Sequence, residues 1–168
     1  MATITKTDNI TLLALQQIAA NGKAVSAAQD VGTKLVATFL IRLGRDDTAG
    51  ALTAGVIFRI QVSAKSSGDD QWFDLYTFTS GTTVPESEPV SGTEPAGSTV
   101  IEVVSTTNLA IEQLILFKNT TLANSEFARI VAVVTNTSIT LLDGLTRAQT
   151  GSTIYNQAQE WVQPIDVT

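Results

Sequence analysis

Cysteine and histidine are both absent from the 168-residue sequence. Without cysteine, neither disulfides nor thiolate metal sites can hold the fold together, so packing and sheet hydrogen bonds must do so. Without histidine, the sequence lacks the commonest general base and the usual ligand of zinc and iron sites. These absences exclude the commonest catalytic and metal sites. Since the remaining residues offer no catalytic constellation, we predict that the protein is not an enzyme, with no catalytic residue, no cofactor-binding residue, no cofactor and no metal ligand.

Charge is scarce as well, at 15% of residues against roughly 25% in an average globular domain. The 10 basic residues are scattered singly and are outnumbered by 16 acidic ones, for a net charge of −6. Phosphate backbones and acidic membranes are bound by clustered Lys and Arg, so we expect neither nucleic acid nor membrane as a partner. The low charge indicates either a surface covered by another subunit or one made polar by Thr, Ser, Asn and Gln.

Long apolar runs are missing too, both at the beginning of the sequence and along the rest of it. A secretory signal and a membrane-spanning helix each need such a run. The sequence therefore predicts that the chain is made and folded in a cytoplasm.

Carboxylates are the remaining candidates for chemistry, and most of them lie in predicted turns. Hydrolysis of a glycoside needs two acids at a set separation, and solvated turn acids such as Asp46 and Asp143 favour no such pair. Asp69, Asp70 and Asp74 form a cluster of oxygen ligands that suits calcium. Turn formation explains the first two equally well, so a calcium site is the minor interpretation.

Aromatic side chains crowd one segment, which contains Trp72, Phe73, Tyr76 and Phe78. Aromatic residues are favoured in half-buried strands, where they anchor β cores, and that is the favoured interpretation. The alternative is a surface on which sugars or bases stack.

Apolar and polar residues alternate with period two at 35–43 and 56–62, which predicts strands with one buried face. A third strand follows from Trp72 to about Thr79. Near the start, spacing at 8–22 leaves a capped helix and an edge strand both open. Residues 1–79 form the first predicted unit.

Three of the four prolines lie in "SGTTVPESEPVSGTEPAGS", residues 80–98. Such a segment buries little apolar surface, so we predict a linker or long loop, either a plain spacer or an arm along a partner. Five short alternating runs follow within 99–157, as a small barrel or compact sandwich needs. The tail, 158–168, could form a further strand that returns to the first unit.

Two sets of motifs resemble virion structural proteins of tailed bacteriophages. In the first half, Trp72, Asp74 and Leu75 match the W-x-D-L that ends a strand pattern in phage β-sandwich proteins. In the second half, Glu126 and Arg129 match E-x-x-R, and residues 145–148 match L-T-R-A, of a small β-barrel module in phage head and tail proteins.

The resemblance implies an all-β fold: a β-sandwich, Ig-like or jelly-roll-like, with a second small β-barrel module. It also favours a strand at the ambiguous opening. The implied function is that of a capsid decoration, or cement, protein on the outer surface of the phage head, where it clamps major capsid protein subunits. We expect the chain to form a homodimer or homotrimer. The alternative is a tail, baseplate or neck structural or adhesion module that binds a host surface glycan.

Two further expectations concern the E-x-x-R pair and the residues that form the two cores. Glu126 and Arg129 are expected to pair across a sheet or to form a salt bridge with a neighbour. The predicted core residues are Phe39, Ile41, Phe58, Ile60 and Leu75 in the first unit, and Ile130, Val134 and Ile139 in the second.

Overall fold

A computed structural model describes residues 36–46, 54–63 and 72–166. The opening segment 8–22, the acids Asp69 and Asp70, and Leu35 lie outside the described residues. Within these ranges every regular element is a β-strand apart from one 3₁₀ turn, Leu122–Asn124, which confirms the all-β class. The strands are β1 Val36–Leu43, β2 Ile57–Val62, β3 Phe73–Thr79, β4 Ser87–Pro89, β5 Thr93–Glu94, β6 Val100–Glu102, β7 Leu114–Lys118, β8 Glu126–Val134, β9 Ser138–Leu141, β10 Gln149–Thr150, β11 Thr153–Tyr155 and β12 Gln159–Asp166.

Six of these strands form one curled antiparallel sheet in the order β4-β11-β7-β8-β9-β6. Its two edge strands are linked by an antiparallel bridge between Val90 and Val103, and the Ser91 amide donates to the Glu102 carbonyl at 2.9 Å. At the same seam the Glu94 carboxylate accepts from the Glu102 amide at 3.0 Å. The two edges of the curled sheet therefore meet at this seam, and we call residues 87–155 the barrel.

The barrel encloses a single apolar cluster, formed by strands β6, β7, β8, β9 and β11 together with residues of the connecting segments. Phe117, Ile101, Ile115, Ile130 and Ile154 are completely buried, at 0% exposure. Strand β7 is buried on both sides, because Ile115 and Phe117 face the cluster while Leu114 and Leu116 are covered from outside. The other buried members are Val90, Val103, Leu109, Ile139, Leu141 and Leu145.

The remaining long strands form two smaller sheets, β1 with β12 and β2 with β3. We call the β1–β12 pair the ribbon; its register runs from Val36 opposite Asp166 to Leu43 opposite Gln159. Its Trp161 ring contacts Phe58 at 5.5 Å and Phe78 at 6.0 Å between ring centroids. The two small sheets therefore pack face to face through aromatic side chains, and the C-terminal strand joins the first unit.

The prediction of a linker at 80–98 is wrong over residues 87–94. Strand β4 pairs with β11, β5 pairs with β10, and Val90 is 7% exposed in the barrel core. Proline is tolerated at a sheet edge and at strand ends, where a missing N–H is harmless, and Pro89 ends the edge strand β4. The prolines of this segment are therefore compatible with an edge strand of the barrel, and they did not indicate a linker.

Several predicted core residues lie where the alternation indicated. Ile60, Ile130 and Ile139 are buried. Phe39, Ile41 and Phe58 are half-buried, and the residues next to each of them along the strand are exposed.

Leu75 and Val134, by contrast, are 41% and 54% exposed, so their assignment to the cores is wrong. Both errors lie at β-bulges. In β3 the register passes from Tyr76 to Asp74, so Leu75 has no partner on β2. In β8 it passes from Ile130 to Ala132, which shifts the alternation and turns Val133, instead of Val134, onto the core.

Candidate functional site

Asp74 does not belong to a metal cluster in the described part of the chain. Its carboxylate accepts from Gln61 Nε2 at 2.8 Å and lies 3.5 Å from Arg59 Nη1. No group of three or more acidic, histidine or cysteine side chains that could hold a metal ion occurs among the described residues. The calcium hypothesis stays a prediction for a site that would include Asp69 and Asp70.

The Glu126 side chain bonds to the turn that contains the L-T-R-A motif. The sequence spacing of the two motifs did not predict this contact. One carboxylate oxygen accepts from the Thr146 amide at 2.8 Å and from its hydroxyl at 2.6 Å. The other accepts from the Arg147 amide at 3.1 Å and from Gln149 Nε2 at 2.8 Å. Four donors therefore engage this carboxylate, which fixes the turn after β9 against the start of β8.

The same interactions continue into a buried polar network at this end of the barrel. Gln149 is 0% exposed, and its side-chain oxygen accepts from the Ser152 hydroxyl at 2.7 Å. Asn119 Nδ2 donates to the Ser152 hydroxyl at 3.0 Å, and the backbone N–H of Asn119 donates to the Ser125 hydroxyl at 2.9 Å. A satisfied buried network rigidifies the segments that it joins, and here it joins β7, β8, β10 and β11.

Arg129 bonds across to the ribbon and does not pair with Glu126, so the cross-sheet pairing of these two residues is wrong. Arg129 Nη2 lies 3.2 Å from one oxygen of Glu160 on β12, and Arg42 Nε on β1 donates to the other oxygen at 2.7 Å. Arg129 Nη1 donates to the Glu112 carbonyl at 2.7 Å. One carboxylate therefore joins two arginines from different units.

A close apolar contact and a second ion pair complete the junction between ribbon and barrel. A β-carbon added at Gly44 would lie 2.5 Å from Leu116 Cδ2, so the chain after β1 approaches β7 as closely as only glycine allows. Lys118 at the end of β7 pairs with Asp46. The outward face of β7 is buried because the end of the ribbon covers it.

Beside this junction lies a cleft of about 370 Å³, bordered by the ribbon and the barrel. Its apolar floor combines aliphatic side chains with one phenyl ring, and its charged groups come from both units. The lining residues are Arg42, Leu114, Glu126, Phe127, Ala128, Arg129, Leu142, Asp143, Gly144, Leu145, Thr146 and Glu160.

Some charged groups of this cleft have hydrogen-bond partners and others have none among the described residues. Glu126 and Glu160 are occupied by the donors described above, so neither is a free base. Arg42 uses only Nε, and within the described residues its Nη1 and Nη2 atoms make no hydrogen bond. The Asp143 carboxylate likewise makes no hydrogen bond or ion pair in the part of the chain that the structure describes.

The aromatic segment divides between core and surface. Tyr76 and Phe78 are half-buried, with ring centroids 6.4 Å apart, as the core interpretation expects. Trp72 and Phe73 are 45% and 63% exposed. The packing interpretation therefore holds for the last two aromatics of the segment only.

A rigid apolar surface lies on the outside of the barrel. Val100, Val134 and Leu142 are 53%, 54% and 59% exposed. The register puts Val100 and Ala132 on either side of Thr140. Val134 lies two positions beyond Ala132, and Leu142, just past β9, lies two positions beyond Thr140 in the opposite direction, so the three side chains are spread along one face. We call Val100, Val134 and Leu142 the outer patch.

No protein-family model, curated protein or solved structure matches the chain. Among the described residues, no helix is long and apolar enough to cross a membrane. The indications of function therefore come from the sequence motifs and from the exposed surfaces of the barrel and of the cleft.

Proposed function

We propose that the chain is a structural virion protein that decorates the head of a tailed bacteriophage and stabilises it by clamping major capsid protein subunits. The observation that carries the proposal is the outer patch, in which three large apolar side chains stand more than half exposed on, or directly after, strands of a packed barrel. Exposed apolar side chains grouped on a rigid face are typical of protein interaction sites. The motif resemblance supplies the phage context.

The internal architecture suits a passive clamp. Two carboxylates of the cleft, Glu126 and Glu160, are engaged in holding a turn and a junction, and the ribbon is fixed to the barrel by ion pairs and by the Gly44 contact. A rigid two-part body can contact two shell subunits at once. Repetition of modest contacts over many copies produces a large total stabilisation of the shell.

Quantitative mass spectrometry of purified virions tests this proposal directly, by measuring copies of this chain per copy of the shell subunit. A ratio near the stoichiometry of the shell supports decoration of the head. A ratio far below one copy per shell subunit would instead indicate a location at the neck, tail or baseplate. Absence from the particle overturns both virion roles.

Binding of the purified chain to particles that lack it tests the outer patch. We expect the double variant V100T/V134T to bind more weakly by roughly tenfold, because two apolar contacts are lost outside the cleft. The matched control is V162T, since Val162 is similarly exposed, at 59%, but lies on the ribbon. Equal weakening by both variants would show that the outer patch has no special part in attachment.

Self-association belongs to the same proposal, because decoration proteins that sit on local symmetry axes do so as symmetric oligomers. We expect light scattering to give the mass of a dimer or trimer. A monomer mass at high protein concentration contradicts this part of the proposal.

A second candidate is a tail or baseplate module that binds a host surface glycan, favoured by the exposure of Trp72 and Phe73. Indole and phenyl faces bind the apolar faces of sugars. Binding to purified host surface polysaccharide that W72A abolishes supports this candidate. L75A is the control, because Leu75 is a similarly exposed neighbour, at 41%, without a ring.

A further inference from the structure

The cleft between ribbon and barrel contains two charged groups that the fold leaves unused. The Nη1 and Nη2 atoms of Arg42 are held in position because Nε is fixed on Glu160 at 2.7 Å. Asp143 lines the same cleft with a carboxylate that the described residues leave without a partner. A pre-oriented guanidinium fork recognises a carboxylate, and a free carboxylate recognises an ammonium group or an N–H.

The other charges of the cleft do not compete for a ligand. Glu160 is shared between Arg42 and Arg129, and Arg129 also donates to the Glu112 carbonyl. Glu126 is occupied by the turn at 146–147 and by Gln149. A ligand therefore meets one unused cation and one unused anion.

The floor of the cleft indicates the kind of ligand. It is formed mainly by aliphatic side chains, Leu114, Leu142 and Leu145, with Phe127 as its one aromatic ring. A sugar site would place flat aromatic faces against the ring of the sugar, whereas aliphatic floors suit side chains and the extended main chain of a peptide.

We propose that this cleft binds an extended peptide segment of a partner protein that carries a carboxylate and an ammonium side chain on one face. In an extended segment residues i and i+2 share a face, so the simplest motif of this kind is Glu-x-Lys or its reverse with an apolar neighbour. The carboxylate bonds to the Arg42 fork and the ammonium group to Asp143. This site goes beyond the proposed virion role, since the partner need not be a shell subunit.

Titration of the full-length ¹⁵N-labelled chain with the blocked peptides acetyl-Ala-Glu-Val-Lys-Ala-amide and acetyl-Ala-Lys-Val-Glu-Ala-amide tests the proposal. We expect saturable shifts of the amides at 126–129 and 142–146 with one of the two orders. Replacement of its Glu by Gln, or of its Lys by Gln, should weaken binding about tenfold in each case, because a charged hydrogen bond is lost.

The variants make the assignment residue-specific. R42Q should remove the preference for Glu over Gln in the peptide while retaining the preference for Lys, and D143N should do the opposite. R59Q is the matched control, since Arg59 is an exposed arginine outside the cleft, paired with Asp74. If R42Q loses its native spectrum, D143N still tests the proposal, because the Asp143 side chain has no structural partner among the described residues.

Four outcomes overturn the proposal. Neither peptide shifts the cleft amides at about 10 mM, or the Gln peptides bind as well as their charged parents. Maltotriose shifts the same amides and the peptides do not, which would make the cleft a sugar site. Finally, the cleft amides broaden with protein concentration alone, which would identify a second copy of the chain as the occupant. None of these results depends on the copy number of the chain in virions. The proposal of peptide binding and the proposal of head decoration can therefore be contradicted independently.

Discussion

At the scale of single residues, Glu126 shows how one carboxylate can organise a turn. Both of its oxygens act only as acceptors, and each receives two hydrogen bonds from the segment 146–149. The motif resemblance singled out Glu126 and residues 145–148 separately. Their contact could not be predicted, because the two motifs lie some twenty residues apart and alternation does not encode which turn folds over which strand.

E126Q should therefore destabilise the protein by about 2 kcal/mol, the magnitude of hydrogen bonds to a charged group. The amide nitrogen of Gln cannot accept, so one pair of donors loses its acceptor. Urea unfolding followed by tryptophan fluorescence measures the change. E102Q is the control, since Glu102 is exposed and no described residue bonds its side chain, and it should stay within about 0.5 kcal/mol of the parent.

At the scale of elements, strands were predictable and bulges were not. Period-two alternation is a local property, so it located β1, β2 and β3, and the five runs predicted within 99–157 correspond to β6, β7, β8, β9 and β11. A bulge adds one residue without any local signal, which is why Val134 and Leu75 were assigned to the wrong faces. Pairing of β4 with β11 joins residues 87 and 155, and a proline-rich composition concealed it.

The bulge in β8 makes neighbouring valines unequal. V133A should cost about 1 kcal/mol, because Val133 packs against the barrel core, whereas V134A should change the free energy of unfolding by less than about 0.5 kcal/mol. Chemical denaturation of the two variants under the same conditions compares them. The reverse order would mean that β8 runs without the bulge.

At the scale of the whole molecule, the junction between ribbon and barrel combines one steric and two ionic contacts. Its residues come from segments far apart in sequence, 42–46, 114–118, 129 and 160. Alternation places Arg42 on the outward face of β1. It does not predict that Glu160 bonds to Arg42, or that Trp161 packs against the aromatic rings of β2 and β3. The register of a C-terminal strand against β1 depends on the complete fold.

G44A tests the steric contact. The added methyl group would lie 2.5 Å from Leu116 Cδ2 and 2.8 Å from its Cβ, so the ribbon must move, at a cost of about 1–3 kcal/mol. G81A is the control, because its added carbon meets only the flexible end of Gln159. Thermal unfolding of both variants gives the comparison, and equal melting temperatures would show that the junction is loose.

E160Q tests the ionic contact. Glu160 is 21% exposed and its arginine partners 41% and 33%, so we expect a loss of about 1 kcal/mol. The difference between E160Q and the parent should shrink in 1 M NaCl, where exposed charges are screened. D74N, which removes a more exposed pair with Arg59, should lose less in low salt. A loss that is insensitive to salt would indicate packing as its origin.

The seam that closes the barrel has a consequence for behaviour in a crowded solution. At Glu102 the amide is taken by Glu94 and the carbonyl by Ser91, so an incoming strand finds no free backbone groups at that position. Exposed strand edges are the usual templates for aggregation and for cross-β fibres. Residues 91 and 94, in the segment predicted as a linker, thus block edge-to-edge pairing at this point of the barrel.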